Sequence, residues 1–283
     1  MEDIVQKAGI LIEALPYIKK FRGKEILVKY GGAAMSDEAV RLNILQDLVF
    51  INYVGIKPIL IHGGGPAITK ALTDAGIESR FVEGLRVTNQ KAIEIVVQTL
   101  SEINKNIVHD LNHLGARAIG LGYGNEILVV KKIHKKEDVG FVGEVINVNT
   151  KPLKELTDYN IIPVIYTVGV DEQGQLYNVN ADEAAAKIAS AMDVQKMMVL
   201  TNVRGILRDG KDASTLISSC SADEVETMIK SSVISGGMIP KVRACVSALR
   251  GGVRKAHIID GRTPHSLLLE VFTDQGIGTE ITP

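Results

Sequence analysis

Tryptophan is absent from this 283-residue chain, and aromatic residues make up only 4% of it. So few flat side chains exclude a surface that reads nucleic-acid bases by stacking. Cysteine is scarce as well. Cys220 and Cys245 are too few for a disulfide framework and form no metal-type pair; the pattern suits a reducing compartment. An excess of charge of one sign is also missing: 32 basic residues stand against 33 acidic ones, for a formal net charge of −1. Without a strongly basic segment, nucleic acid is an improbable partner. No apolar run approaches the roughly twenty residues that span a bilayer. The N-terminus, MEDIVQKAGILIEALPYIKKF, begins with acids and shows no cleavable-signal pattern. These absences lead to the expectation of a cytoplasmic protein with neither nucleic acid nor membrane as partner.

What the chain does hold is glycine, 27 residues of it, placed between short apolar runs. Ile4, Val5, Ile12, Leu15 and Ile18 fit a first helix with one apolar side. Strands are predicted over 25–30 (EILVKY), 58–62, 161–166, 197–200 and 256–260. Helices are predicted over 39–53, 66–76 with Gly76 closing it, 90–114, 181–192 and 240–249. Such alternation predicts an α/β fold with a mainly parallel sheet covered on both faces. Residues 126–148 break the rhythm and read as paired short strands with turns. No internal repeat or low-complexity linker divides the chain; a lobe boundary is placed near Asp193–Lys196, where a helix gives way to a strand.

Three glycine clusters sit at element ends: Gly31-Gly32, Gly63-Gly64-Gly65 and Gly236-Gly237. Glycine amides at a strand end can close around phosphate, but ILIHGGGPAI lacks the Lys-Ser/Thr that completes the familiar phosphate loop. The neutralising charge must then come from elsewhere. Lys29 interrupts an apolar strand two residues before Gly31; either its stem snorkels to water, or it stands where open sheets bind ligands. Lys241 follows Pro240 in SGGMIPKV, so a cation falls in a first helical turn against the helix dipole. A shared polyanion resolves that misfit, and tolerance of a surface lysine is the alternative. Asp182 in NVNAD is either a plain helix cap or the carboxylate that holds both lysines. Arg86 in GLRVT is either a surface charge or a bidentate clamp for an acidic substrate.

In order along almost the whole chain, KYGG, ILIHGGGP, GLRVT, NVNAD, SGGMIPKV, AHIIDGR and FTDQGIGTEI resemble the amino-acid kinase family and, within it, the acetylglutamate-phosphorylating kinases. The resemblance implies a three-layer α/β/α sandwich that transfers phosphoryl from ATP, with Mg²⁺, to the side-chain carboxylate of N-acetyl-L-glutamate in arginine biosynthesis. It implies catalytic roles for Lys29, Asp182 and Lys241. Nucleotide contacts would come from Gly31, Gly32, Gly64, Gly65, Thr201 and Asn202, and acceptor contacts from Gly64, Gly65, Arg86, Asn178 and Asn180. GFVGEV resembles the lid over the acceptor. Residues 21–193 correspond to the acceptor-binding lobe and 194–283 to the nucleotide lobe. Residues 1–20 resemble the helix that joins dimers into hexamers in members inhibited by L-arginine, which places Tyr17, His265, Glu270, Gly278 and Glu280 around that effector. A PII signalling protein binds some relatives. Ala33 stands where Ser or Asn is common in the family, and Asn202 where Asp is. Outside this family, a dinucleotide-binding oxidoreductase fits poorly, because HGGGP lacks the spaced G-x-G-x-x-G arrangement; a non-catalytic arginine sensor would not need Lys29, Asp182 and Lys241.

Overall fold

A computed structural model describes residues 2–35, 37–210, 212–273 and 276–283, with the side chains of residues 2–8, 10, 11, 33 and 34 outside that description. Ile4 and Val5 of the apolar stripe therefore lie outside the described side chains. In chain order the first half comprises α1 (Glu2–Phe21), β1 (Glu25–Tyr30), α2 (Glu38–Tyr53), β2 (Lys57–His62), α3 (Gly65–Asp74), β3 (Phe81–Val82), β4 (Leu85–Arg86) and α4 (Gln90–His113). The middle comprises β5 (Ala118–Leu121), β6 (Leu128–Lys132), β7 (Val142–Val148), α5 (Lys151–Asp158), β8 (Ile162–Tyr166), β9 (Val168–Val170), β10 (Leu176–Val179) and α6 (Ala181–Ala191). The last third adds β11 (Lys196–Thr201), β12 (Ser219–Ser221), α7 (Ala222–Lys230), α8 (Met238–Arg250), β13 (Lys255–Asp260), α9 (Ser266–Phe272) and β14 (Thr279–Thr282).

Eight strands form one sheet in the order β12-β14-β13-β11-β1-β2-β8-β5. Neighbours run parallel except β13 with β14. Because both faces are covered, the central strands are apolar throughout; β1 and β2 are each buried at five of six positions. Alternate side chains feed two cores. Leu27, Ile59 and Ile61 pack with α6 and α8, whereas Val28, Tyr30 and Leu60 pack with α2 and α4. The layers are those of an α/β/α sandwich. Among the described residues no helix is long and apolar enough to cross a membrane.

The predicted hairpin region leaves this sheet: β6 and β7 pair antiparallel and close a small barrel with β9 and β10. Helix α8 starts at Met238, two residues before the predicted Pro240, with Gly237 as its N-cap. Helices α5, α7 and α9 are additional to those predicted. On α1, Ile12 and Leu15 are 68% and 40% exposed, so the apolar side there is not covered by its own subunit.

Candidate active site

The parallel strands β1, β2 and β11 end at one edge of the sheet, and the side chains picked out by sequence gather there. Lys29 leaves β1 on the α6/α8 side. Alanine-rich α6 (ADEAAAKIASA) and α8 carry small buried residues, Ala185, Ala189, Ala244 and Ala248 among them, and these let the two helices approach closely. Asp182 on α6 and Lys241 on α8 thereby come within reach of each other. Lys29 Nζ forms an ion pair with Asp182 Oδ1 at 2.8 Å, and Lys241 Nζ donates a hydrogen bond to Oδ2 at 3.1 Å. Asp182 is not the cap of α6. Asn180 is, accepting from the backbone N–H groups of Asp182 and Glu183, which leaves the Asp182 carboxylate for the two ammonium groups.

Burial pulls the Lys29 pKa below the ordinary lysine value, with Asp182 opposing the fall. Burial alone would push Asp182 upward, but Lys29 and Lys241 outweigh it and hold the carboxyl below its usual range. The cluster sets one carboxylate between two lysines. Gly31 borders it: a Cβ there would lie 3.2 Å from Lys29 Nζ, so only glycine leaves the ammonium its full approach. Gly32 follows at φ +73°, a conformation glycine adopts at no cost.

Beside the cluster lies a cavity of about 160 Å³ bordered by Gly63, Gly64, Gly65, Arg86, Asn178, Asn180 and Ala181, the last adjacent to Asp182. Here the predicted acceptor residues come together. Arg86 Nη2 donates to the Gly65 carbonyl at 3.0 Å and to Thr69 Oγ1 at 2.9 Å, and Nη1 donates to Ser79 Oγ. Phe81 lies under the guanidinium at 4.6 Å. Of five N–H donors on arginine, three are engaged in this way, leaving two for a ligand. Asn178 donates to Thr88 Oγ1 at 3.3 Å. Val142 of the GFVGEV segment also borders this cavity.

Asn202 borders an open groove with Arg204, Leu207, Asp260 and Arg262, beyond the ends of β11 and β13. Thr201 does not reach it; its hydroxyl accepts from the Val203 N–H at 2.9 Å and shapes the turn. A third cavity, of about 300 Å³, lies between α1 and α9 and is bordered by Tyr17, Glu270, Gly278 and Glu280 together with Lys196, Lys255 and His257. His265 is not there. It instead lies 2.7 Å from Asp47 of α2, while His257 pairs with Glu270 at 2.6 Å inside the cavity. His257 follows Lys255 and Ala256 in an apolar strand, the same kind of polar interruption that marks Lys29.

The sequence signature of the amino acid kinase family covers residues 24–260. The chain belongs to the amino acid kinase family. Among curated relatives, an acetylglutamate kinase of Heliobacterium modesticaldum is 49% identical over 99% of both chains. One of Desulforamulus reducens is 48% identical over 98% of both. An N-acetylglutamate synthase from Neisseria gonorrhoeae, solved with coenzyme A and N-acetyl-glutamate, shares the fold at a TM-score of 0.88 and 24% identity; the match takes in 98% of this chain and 63% of that one. Carbamate kinase from Giardia lamblia shares it at 0.68 and 17% identity. For this family member, the site above is thus the place where phosphoryl chemistry is to be sought.

Proposed function

We propose that this chain is an acetylglutamate kinase, transferring the γ-phosphoryl group of ATP to the side-chain carboxylate of N-acetyl-L-glutamate, a step of arginine biosynthesis in the cytoplasm. One observation carries the reading: two ammonium groups 212 residues apart in sequence (241 − 29) meet at one buried carboxylate, beside an arginine-lined cavity.

A glutamate side chain, with an unperturbed pKa of about 4.3, is already an anionic nucleophile at neutral pH, so no general base is required. The obstacle is repulsion between that carboxylate and a polyphosphate. Phosphoryl transfer leaves the protein mainly positioning and charge stabilisation. Lys29 and Lys241 supply the positive charge from opposite sides, and Asp182 fixes their separation without accepting a proton. Backbone N–H groups at Gly31, Gly64 and Gly65 supply donors for phosphate oxygens at a helix N-terminus. The two remaining Arg86 N–H groups, with Asn178, would hold the α-carboxylate of the acceptor.

Mg²⁺ fits this site through the nucleotide rather than through a protein cage. Among the described residues no group of three or more His, Cys, Asp or Glu is arranged to hold a metal ion, and both Asp182 oxygens face ammonium groups. Held by phosphate oxygens and water, as is usual for Mg²⁺, it would neutralise part of the nucleotide charge.

In this reading residues 21–193 bind the acceptor, 194–283 bind the nucleotide across the Asn202 groove, and residues 1–20 join subunits into a hexamer. The cavity at Tyr17, Glu270, Gly278 and Glu280 suits L-arginine as inhibitor: its carboxylates match a guanidinium, and Lys196 and Lys255 match an α-carboxylate. The test is an ADP-release assay with N-acetylglutamate, glutamate, aspartate, carbamate and UMP, each with and without arginine. Turnover with N-acetylglutamate, suppressed by arginine, supports the proposal; turnover with another acceptor in its place overturns it.

A further inference from the structure

We propose that His62 is a positioning residue for phosphoryl transfer: with Asn104 behind it, it holds the Gly63 carbonyl so that the Gly64 N–H faces the ammonium groups of Lys29 and Lys241. This deepens the acetylglutamate kinase reading and rests on it.

In register, Lys29 of β1 lies beside Ile61 of β2, and Tyr30 beside His62. Side chains alternate across a sheet, so Lys29 and Ile61 share the α6/α8 face while Tyr30 and His62 take the α2/α4 face. There His62 is fully buried against Asn104 of α4. The Asn104 amide nitrogen donates to the Val164 carbonyl at 2.9 Å and lies 3.1 Å from His62 Nε2. A carbonyl can only accept, which fixes the amide orientation and makes its second hydrogen a donor to Nε2. The ring proton must then sit on Nδ1, which donates to the Gly63 carbonyl at 2.9 Å. Burial pulls the ring pKa down to about 4, so the imidazole stays neutral and this arrangement does not titrate in the working range.

A trans peptide is planar, with its C=O and N–H pointing in opposite directions. Pinning the Gly63 carbonyl toward the α2/α4 side therefore turns the Gly64 N–H toward the side that holds Lys29, Asp182 and Lys241. That N–H donates to no backbone carbonyl among the described residues. The Gly63 N–H is meanwhile spent on the Tyr30 carbonyl at 3.2 Å, so the loop cannot swing to present it instead. His62 fixes the aim of one donor.

Three variants and one spectrum test this. Asn places its amide nitrogen near the position of Nδ1, and Gln near that of Nε2. His62→Asn is expected to retain kcat within about fivefold, whereas His62→Gln and His62→Leu lose roughly 10- to 100-fold, somewhat less than deleting a preorganised donor outright. KM for ATP and for N-acetylglutamate should stay within about threefold in all three, since ground-state binding is not what this donor supplies. Unchanged kcat in the Gln and Leu variants, or equal losses for Asn and Gln, would overturn the inference. The ¹⁵N spectrum of histidine-labelled wild-type protein, with six histidines, reads the tautomer without any substitution. A neutral ring protonated at Nδ1 is expected for His62; a proton on Nε2 refutes the arrangement even if the variants fail to fold. A wild-type protein inactive on N-acetylglutamate would instead remove the functional reading while leaving the tautomer measurable.

Discussion

Replacing Asp182 with asparagine keeps the shape of the side chain and withdraws the one negative charge between two cations. Lys29 and Lys241 lie 2.8 and 3.1 Å from its oxygens, and only 8% of the Lys29 side chain is exposed. At an effective dielectric of about 20, unit charges so placed attract by roughly 5–6 kcal/mol per pair. Desolvation offsets much of that, and removing one partner of a buried pair costs about 3–5 kcal/mol in practice, because the other charge stays buried. At roughly 2–4 °C per kcal/mol for a chain of this size, the thermal midpoint of Asp182→Asn should fall by about 6–20 °C. Lys29 is already shifted down by burial, with Asp182 as the main opposing influence, so in the variant its pKa falls further. The unfolded chain then binds more protons than the folded one between that lowered pKa and the ordinary lysine value of about 10.4, and stability rises with pH across this window. The deficit against wild type should accordingly shrink as the solution is made alkaline. Turnover should drop by about 10²–10³, the scale for losing preorganised charge stabilisation. Calorimetry over a pH series, together with ADP release, measures both effects. A double variant, Lys29→Met with Asp182→Asn, should melt above the single one, since it no longer buries an unpaired ammonium. A single variant that melts within about 2 °C of wild type and turns over normally would refute the reasoning.

Other perturbations test the remaining parts. Arg86→Ala should chiefly raise KM for N-acetylglutamate, by about 10-fold or more, because a charge-assisted clamp is lost; steady-state kinetics in which only the ATP KM moves would show the clamp misassigned. In wild type, log(kcat/KM) should bend downward on the alkaline side below the ordinary lysine pKa, since burial lowers that of Lys29 and the charged form is the active one. Glu280→Gln, at the cavity between α1 and α9, should weaken arginine inhibition by about 10-fold while basal turnover stays within about twofold. Deleting residues 1–20 should yield dimers with weakened inhibition, read by light scattering and inhibition curves; an intact hexamer would contradict the assembly role.

Much of the fold was legible because a parallel sheet buried on both faces demands continuous apolar strands, and EILVKY and KPILIH have no other use for theirs. The short helices α5, α7 and α9 were not read. Helix α7 nonetheless carries a start signal, the reciprocal capping of Ser221 and Glu224. Helix α9 has no such local signal: His265 precedes it in a left-handed conformation, and the carboxylate that meets its Leu267 N–H belongs to Asp47, 220 residues away. His265, held by that same Asp47, lies away from the cavity between α1 and α9, whereas His257, in an apolar strand, borders it. Lys29 and Lys241 were legible because each is a cation in a position that local structure alone makes costly, in an apolar strand and in a first helical turn; Asp182, an acid in a first turn that favours one, became legible only beside them. The partners of Arg86, Ser79 and Thr69, were not, because hydroxyl groups on a helix and a loop look alike whether or not they hold a guanidinium. Neither Asn104 nor His62 was among the residues read from the sequence: Asn104 is hidden by its helix, while His62, polar at the end of an apolar strand, carries the kind of signal that could have found it.

The most direct test of the central claim is trapping of the acyl phosphate with hydroxylamine in wild type, Lys29→Met and Lys241→Met, supplied with MgATP and N-acetylglutamate. ATP-dependent hydroxamate from wild type, reduced by about 10²–10³ in each variant, is the expected result. Hydroxamate formed at wild-type rates by either variant, or none formed by the wild-type protein, would contradict it.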